Sequence, residues 1–217
     1  RTQTAFFTAT FSVMGHIAKS DGRVTPDEIR MATTIMDRLR LGPDLRRLAR
    51  DLFTQGKASD FPLDEVIDQF RRECRHNRNL VRLFLEIQLQ AAYADGSLQI
   101  YERRILSHVA RRLGYSEMQL ARLDAMVRAG MKYWQGSRDE RRHDALPSLE
   151  DAYAILNTTP ASSDSEVKHA YRRLMSEHHP DKLVARGLPE EMMRVATEKT
   201  QEIKAAYDRI RDARGLF

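Results

Sequence analysis

His178, His179, Pro180 and Asp181 stand together in the stretch MSEHHPDKLV, and Lys182 follows directly. Two imidazoles beside a carboxylate are the side chains of a metal site, of half a hydrolytic triad, or of a loop that docks on another protein. A zinc site fails on geometry. Neighbouring helix positions point about 100° apart, and no third or fourth ligand sits at a suitable spacing. The i, i+4 histidine pair of a metalloprotease helix is absent. A nucleophilic triad needs a serine on a strained elbow, and no G-x-S-x-G occurs. Ser176 lies within a helical pattern, with no oxyanion-hole glycine nearby. Pro180 disfavours helical geometry at His179 and ends the helix there. His178 then reads as no more than the end of that helix. A helix-closing role for His179 and Asp181 is the simplest remaining one, and it leaves the surrounding pattern unexplained.

A second set of carboxylates lies upstream. AKSDGRVTPDEIRMATTIMDRL, Ala18 to Leu39, is echoed by AAYADGSLQIYERRILSHVARRLG. The echo superposes Asp21-Gly22 on Asp95-Gly96, Glu28 on Glu102 and Leu39 on Leu113. Each copy reads as a helix end, a glycine able to take positive φ, and a new helix. Thr25 starts the first of these new helices, with Pro26 at its first position and Glu28 closing a capping box. An EF-hand is excluded, because its first and third ligand positions fall on Ile17 and Lys19 in one copy and on Ala91 and Tyr93 in the other. Asp21, Glu28, Asp95 and Glu102 either share a cation after folding or only build turns and caps. Both readings stand at this level.

The elements that must position these residues are helices. Aromatic residues are 7% of the 217-residue chain, glycine and proline are scarce, and long periodic stretches are rich in Ala, Leu, Arg, Glu and Met. An all-α protein follows. Cys74 is the only cysteine, which excludes an intrachain disulfide and a thiolate zinc cluster and fits a reducing compartment. No run reaches the about 18 apolar residues that span a bilayer. The apolar opening TAFFTATFSVMG is interrupted by Thr and Ser and reads as an amphipathic helix. The polar segment GSRDERRHDALPS is the best boundary. It gives an N-terminal bundle of about seven helices over residues 1–136, a linker over 137–148, and a smaller helical unit over 149–217.

Residues 1–136 hold 22 Lys/Arg against 16 Asp/Glu, whereas residues 149–217 hold 11 against 12. The basic surplus therefore belongs to the first part and raises an alternative function, nucleic-acid binding through that bundle. The arginines are scattered and no aromatic platform is interleaved with them. A solvated helix surface accounts for the same charge.

In the last unit, Ser148 caps a short helix with Ala152, Tyr153 and Leu156 on one face. Ser163 and Glu166 form a capping box for SEVKHAYRRLMSEHH. Val167, Ala170 and Leu174 recur at spacings of three and four and make one apolar stripe. Lys168, Tyr171, Arg172 and Met175 lie on an adjacent, more exposed face. After a loop containing Gly187 and Pro189, PEEMMRVATEKTQEIKAAYDRI is a second long helix. Its opposing stripe is Met193, Ala196, Ile203, Ala206, Tyr207 and Ile210. Two antiparallel helices braced by a short one is the expected architecture.

The doubled DG…E hairpins, with GHIAKSDGRVTPDEI the closest, resemble the TerB-like helical domain. AYAILN, SEVKHAYRRLMSEHHPDK and QEIKAAYDRIRD, in that order, resemble a J-domain over residues 149–217. HHPDKLVARGLPEEMM is most similar to the DjlA-type membrane-anchored co-chaperones. The resemblance implies a chain that binds a DnaK-type chaperone and stimulates its ATP hydrolysis. No ATP site or cofactor of its own is implied, and the sequence has no P-loop. By position, His179, Pro180 and Asp181 would make the stimulating contact. Lys168, Tyr171, Arg172, Arg173 and Lys182 would dock on an acidic partner surface. Glu177 and His178 depart from the pattern, standing where many J-domains carry a basic and an aromatic residue, so the positive face is shorter. The TerB-like domain would be a regulatory or adaptor module. The resemblance further implies an N-terminal anchor in the bacterial inner membrane, with these residues on its cytoplasmic face. Such an anchor would allow a homodimer to form through it and would bring client or regulatory membrane proteins within reach.

Overall fold

The structure, a computed structural model, describes residues 1–93, 96–137 and 146–216. Asp95 and most of the polar segment 137–148 lie outside the described residues. Among the described residues, eleven α-helices and one 3-10 turn account for the regular structure.

The apolar opening becomes α1 (Thr2–Ala18). It packs against α3 (Pro43–Gly56), α4 (Leu63–Cys74), α5 (Arg78–Ala92) and α6 (Ile100–Arg112). It is buried nearly all round from Phe6 onward, so it is the central helix and not an amphipathic surface one. Thr and Ser are tolerated there because their hydroxyls are satisfied locally. Thr10 Oγ1 donates to Phe6 O and Ser12 Oγ to Thr8 O, both at 2.7 Å. Phe6, Phe70 and Phe84 stack in series beneath α1, with ring centroids 6.0 and 4.6 Å apart.

The crossing of α1 and α3 is unusually close. An added Cβ at Gly15 would overlap the Phe53 carbonyl, and one at Gly56 would overlap the Ser12 carbonyl. The two glycines thus admit backbone against backbone, and both remain buried.

The two hairpin copies form as read. Gly22 and Gly96 have φ of 83° and 92°. Thr25 caps α2 (Pro26–Arg38) in a reciprocal box with Glu28, and Gln99 caps α6 with Glu102 in the same way. The carboxylates of Glu28 and Glu102 thereby receive backbone N–H groups. Asp21 accepts the Arg23 N–H at 2.8 Å. Among the described residues no group of three or more His, Cys, Asp or Glu is arranged to hold a metal. The fourth member of the expected acidic set, Asp95, is outside the described residues.

Cys74 ends α4 and is fully buried. Burial and the adjacent Glu73 push its thiol up to about 12. A thiol reagent at pH 8 should leave the native protein unlabelled and take up one equivalent after unfolding. Rapid native labelling would contradict this packing.

The helix α7 (Glu117–Ser137) bridges two cores. Leu120, Leu123 and Val127 belong to the first, while Ala129, Met126 and Tyr133 pack into the second. The second core is closed by α8 (Leu149–Ile155), α9 (Asp164–Glu177) and α11 (Met193–Arg214). Ser148 and the Ser163–Glu166 box cap α8 and α9 as expected. Arg214, at the end of α11, donates to Asp164 at the start of α9 (2.7 Å) and to the Tyr153 hydroxyl (2.9 Å), which fixes the pair as antiparallel.

Four expectations for this region change. The connection after Pro180 is not a plain loop. It holds a further short helix, α10 (Pro180–Ala185), with Pro180 at its first position. The last helix starts at Met193, after a 3-10 turn at Glu190–Met192. Met193 is itself exposed, so it drops out of the stripe, whereas Ile203, Ala206 and Ile210 are buried in it. The other end of α11 faces elsewhere: Val195 and Ala196 join the first core, together with Leu183, Leu188 and Met192.

Candidate partner-binding site

The HPD stretch sits at a corner between two helices. His178 closes α9, with its N–H on Leu174 O at 3.0 Å. His179 is extended (φ −61°, ψ 121°) and occupies the N-cap position of α10 without a side-chain cap bond. Its carbonyl accepts the Leu183 N–H at 3.0 Å. Proline does two jobs here. It blocks helical geometry at His179, and its fixed φ starts the next helix. His179, Asp181 and Lys182 are exposed and Pro180 is half-buried. Among the described residues the side chains of His179 and Asp181 make no intramolecular hydrogen bond or ion pair, whereas Lys182 Nζ donates to Ser176 Oγ at 2.7 Å.

The preceding helix supplies the charge. Lys168, Arg172 and Arg173 are exposed along α9. Lys168 and Arg172 make no ion pair among the described residues, and Arg173 has only a 3.9 Å contact with Glu177. Tyr171 is half-buried and stacks on Tyr207 with centroids 4.2 Å apart, so it braces α9 on α11 more than it projects. Met175 likewise packs against the second core.

His178 is the main correction. It is 3% exposed, and both of its ring nitrogens face acceptors. Nδ1 lies 3.0 Å from Leu174 O, and Nε2 lies 3.1 and 3.2 Å from the two carboxylate oxygens of Glu86 on α5. The neighbouring Glu177 accepts from Arg82 Nη1 at 2.8 Å, and Arg82 Nε donates to Glu86 at 3.0 Å. On α11, Lys199 Nζ donates to Glu202 at 3.1 Å, and Glu202 also accepts Trp134 Nε1–H at 2.6 Å. Arg82 and Lys199, with the His178 ring between them, thus face Glu86, Glu177 and Glu202. Gly130 of α7 gives the Glu202 carboxylate room, since a Cβ there would collide with it.

Burial alone would push the Glu86 carboxyl up. His178, Lys199 and Arg82 together outweigh that and hold it well below the usual carboxylate range. Lys199 shows the mirror case: burial alone would lower it, and Glu202 and Glu86 raise it. A depressed carboxylate contributes stability above its ordinary value and loses it only as pH falls through the lower folded value. A raised ammonium contributes below its ordinary value and loses it as pH rises past the higher one. Glu86 and Lys199 are therefore both held charged across the whole neutral range.

Arg82, Glu86, Lys199 and Glu202 escaped the sequence reading, and Glu177 and His178 were placed there only at a helix end, because the contacts that join the two regions are distant in the chain. Two signals were nevertheless present. Glu86 interrupts the otherwise apolar run LFLEIQL, and Lys199 occupies a position in the stripe Ala196, Ile203, Ala206, Ile210.

Among the described residues, several arginines of the basic first part are paired with neighbouring carboxylates. Arg112 pairs with Asp64 and Asp68 at 3.0 and 2.5 Å, Arg128 with Asp124 at 3.3 Å, and Arg46 with Asp37. Neither these pairs nor the scattered placement of the other arginines gives the nucleic-acid alternative support.

Two regions of the chain match known families. Residues 7–125 match the model described as tellurite resistance protein TerB, and residues 151–214 match the DnaJ domain. The co-chaperone protein DjlA of Photobacterium profundum is 46% identical over 220 residues, covering 99% of this chain and 79% of that protein. Its namesake in Shewanella oneidensis is 47% identical over 214 residues, covering 99% and 80%. The one in Haemophilus influenzae is 44% identical over 233 residues, covering 98% and 81%. No solved structure matches the chain. With a TerB region followed by a DnaJ region, and near-complete alignment to these relatives, the chain belongs to the DjlA family of co-chaperones.

Proposed function

We propose that this chain binds a DnaK-type chaperone through α9 and the corner at His179-Pro180-Asp181, and that it stimulates the chaperone's ATP hydrolysis without hydrolysing ATP itself. One observation carries the reading. Within the region that matches the DnaJ domain, His179 and Asp181 are exposed and make no side-chain bond among the described residues, beside Lys168 and Arg172, which make no ion pair there. Groups left unpaired on an ordered scaffold are free to meet a partner at little cost in ordering. The basic helix steers an acidic partner surface to the corner, and Asp181 offers a charge-assisted bond to a partner arginine.

The division behind this reading is a TerB-like unit over residues 1–136, a linker over 137–148 and a J-domain over 149–217, the first acting as a regulatory or adaptor module. In the same reading the unit works at the cytoplasmic face of a bacterial inner membrane, held by an upstream anchor through which two copies pair. There it would have client or regulatory membrane proteins within reach. Among the described residues no helix is long and apolar enough to cross a membrane.

Titrating the chaperone with this chain and following single-turnover ATP hydrolysis tests the docking face. Charge reversal at Lys168 and Arg172 should raise the half-saturating concentration by about tenfold at low salt and flatten its salt dependence. Half-saturation unchanged by both reversals would remove α9 from the interface.

A further inference from the structure

The TerB region grips the His179 corner from both sides. Before the corner, Glu177 and His178 are bonded to Arg82 and Glu86 of α5, across chain separations of 95 and 92 residues. After it, Leu183 and Leu188 are buried in the first core at 1% and 0% exposure. The Arg186 carbonyl accepts from Asn77 Nδ2 at 2.9 Å. Gly187, at φ 114°, lies so close over Thr2 that a side chain there would strike it. Only residues 179–182 stand clear between these two anchors, and they are the ones proposed to meet the chaperone.

We infer that Arg82 and Glu86 are positioning residues for the His179 corner, holding the end of α9 through Glu177 and His178 so that the corner faces the chaperone in one orientation. This inference rests on the function proposed above. Two features argue for orientation and not simple adhesion. Buried ion pairs gain little net stability over apolar contacts of similar volume, but they accept only narrow geometries. The apolar anchors after the corner already supply adhesion, whereas the contacts given for the Glu177 and His178 side chains are polar ones. The shorter positive face at the end of α9 also has its explanation here: Glu177 and His178 are turned to the TerB region, and Arg82 supplies the cation beside them.

The consequence is that the two-domain unit, and not the DnaJ region alone, is the activating element. A corner freed to sample several orientations meets the chaperone in the productive one less often, which lowers the stimulated rate at saturation and weakens half-saturation less. A contact that serves only fold stability predicts no change in either for a variant that remains folded.

The test uses the full chain with a DnaK-type chaperone and ATP, in single turnover, with the chain titrated to saturation. The variants are Glu86→Gln, Arg82→Met, the conservative Arg82→Lys, and Arg38→Ala. The last breaks the Arg38–Glu198 pair between the same two regions but away from the corner. Glu86→Gln and Arg82→Met, with helical circular dichroism retained, should lower the saturating rate by about tenfold. Arg82→Lys should restore part of it, and Arg38→Ala should match wild type. Hydrogen exchange at the Leu183 amide, which bonds to His179 O, should quicken in the first two variants only. Should one of these two fail to fold, the other decides. A folded variant with wild-type saturating rate and unchanged Leu183 exchange overturns the positioning role. An inactive wild type, or a fully active His179→Gln, would instead overturn the function on which it rests.

Discussion

Gly56→Ala is expected to destabilise the chain more than any other single methyl added to it. The new Cβ would sit on the Ser12 carbonyl and against the His16 nitrogen, both backbone atoms of the central helix α1. A flexible side chain could swing away; a helix backbone moves only by opening the α1–α3 crossing, and Gly15 on the other side meets the Phe53 carbonyl in the same manner. Overpacking of ordinary core sites costs about 1–3 kcal/mol, and a backbone clash lies at the upper end or beyond. Taking about 3 kcal/mol, the melting temperature of a chain this size falls by roughly 6–12 °C. Gly136→Ala is the control, because nothing among the described residues lies within 4 Å of the added Cβ and alanine is the better helix former. It should melt at or slightly above the wild-type temperature. Thermal melts of the two variants side by side check the crossing, and equal melting temperatures would contradict it.

That crossing shows what one sequence conceals. Gly15 and Gly56 each stand inside a helical pattern, and nothing local says which glycine meets which carbonyl. The caps were legible because their partners are three residues apart: Thr25 with Glu28, Ser163 with Glu166, and Ser148 with the Asp151 N–H. The helix stop at Pro180 was legible for the same reason, although its second role as the start of α10 was not. Neighbouring chemistry fixes a boundary, while the next element depends on packing. Helix α1 was misjudged as amphipathic because Thr and Ser look polar in the chain and are neutralised by carbonyls four residues back in the fold. His178 was misjudged most. In the chain it is a helix end beside a better-known neighbour, and only the fold brings Glu86 to its ring.

His179→Gln should have the largest effect on activity and almost none on the fold. The side chain is exposed and makes no intramolecular bond among the described residues, and surface substitutions of that kind shift stability by within about 0.5 kcal/mol. The N-cap conformation of α10 is set by the backbone and Pro180, which the substitution leaves in place. What is lost is the imidazole offered to the chaperone. A central contact residue removed from an interface costs about 2 kcal/mol or more, which is at least a roughly thirtyfold change. His178→Gln is the informative contrast. It is one position away and chemically identical, yet it should act through the Glu86 contact and the orientation of the corner, with a smaller and partial loss of stimulation. Two adjacent histidines thus separate into a group that meets the partner and a group that holds the scaffold.

The most direct measurement is the rate of single-turnover ATP hydrolysis by a DnaK-type chaperone, with and without saturating wild-type chain and with the His179→Gln variant at the same concentration. The account predicts strong acceleration by wild type and a rate near the unstimulated one with His179→Gln, both proteins having the same helical content and melting temperature. No acceleration by wild type, or equal acceleration by the two, would contradict it.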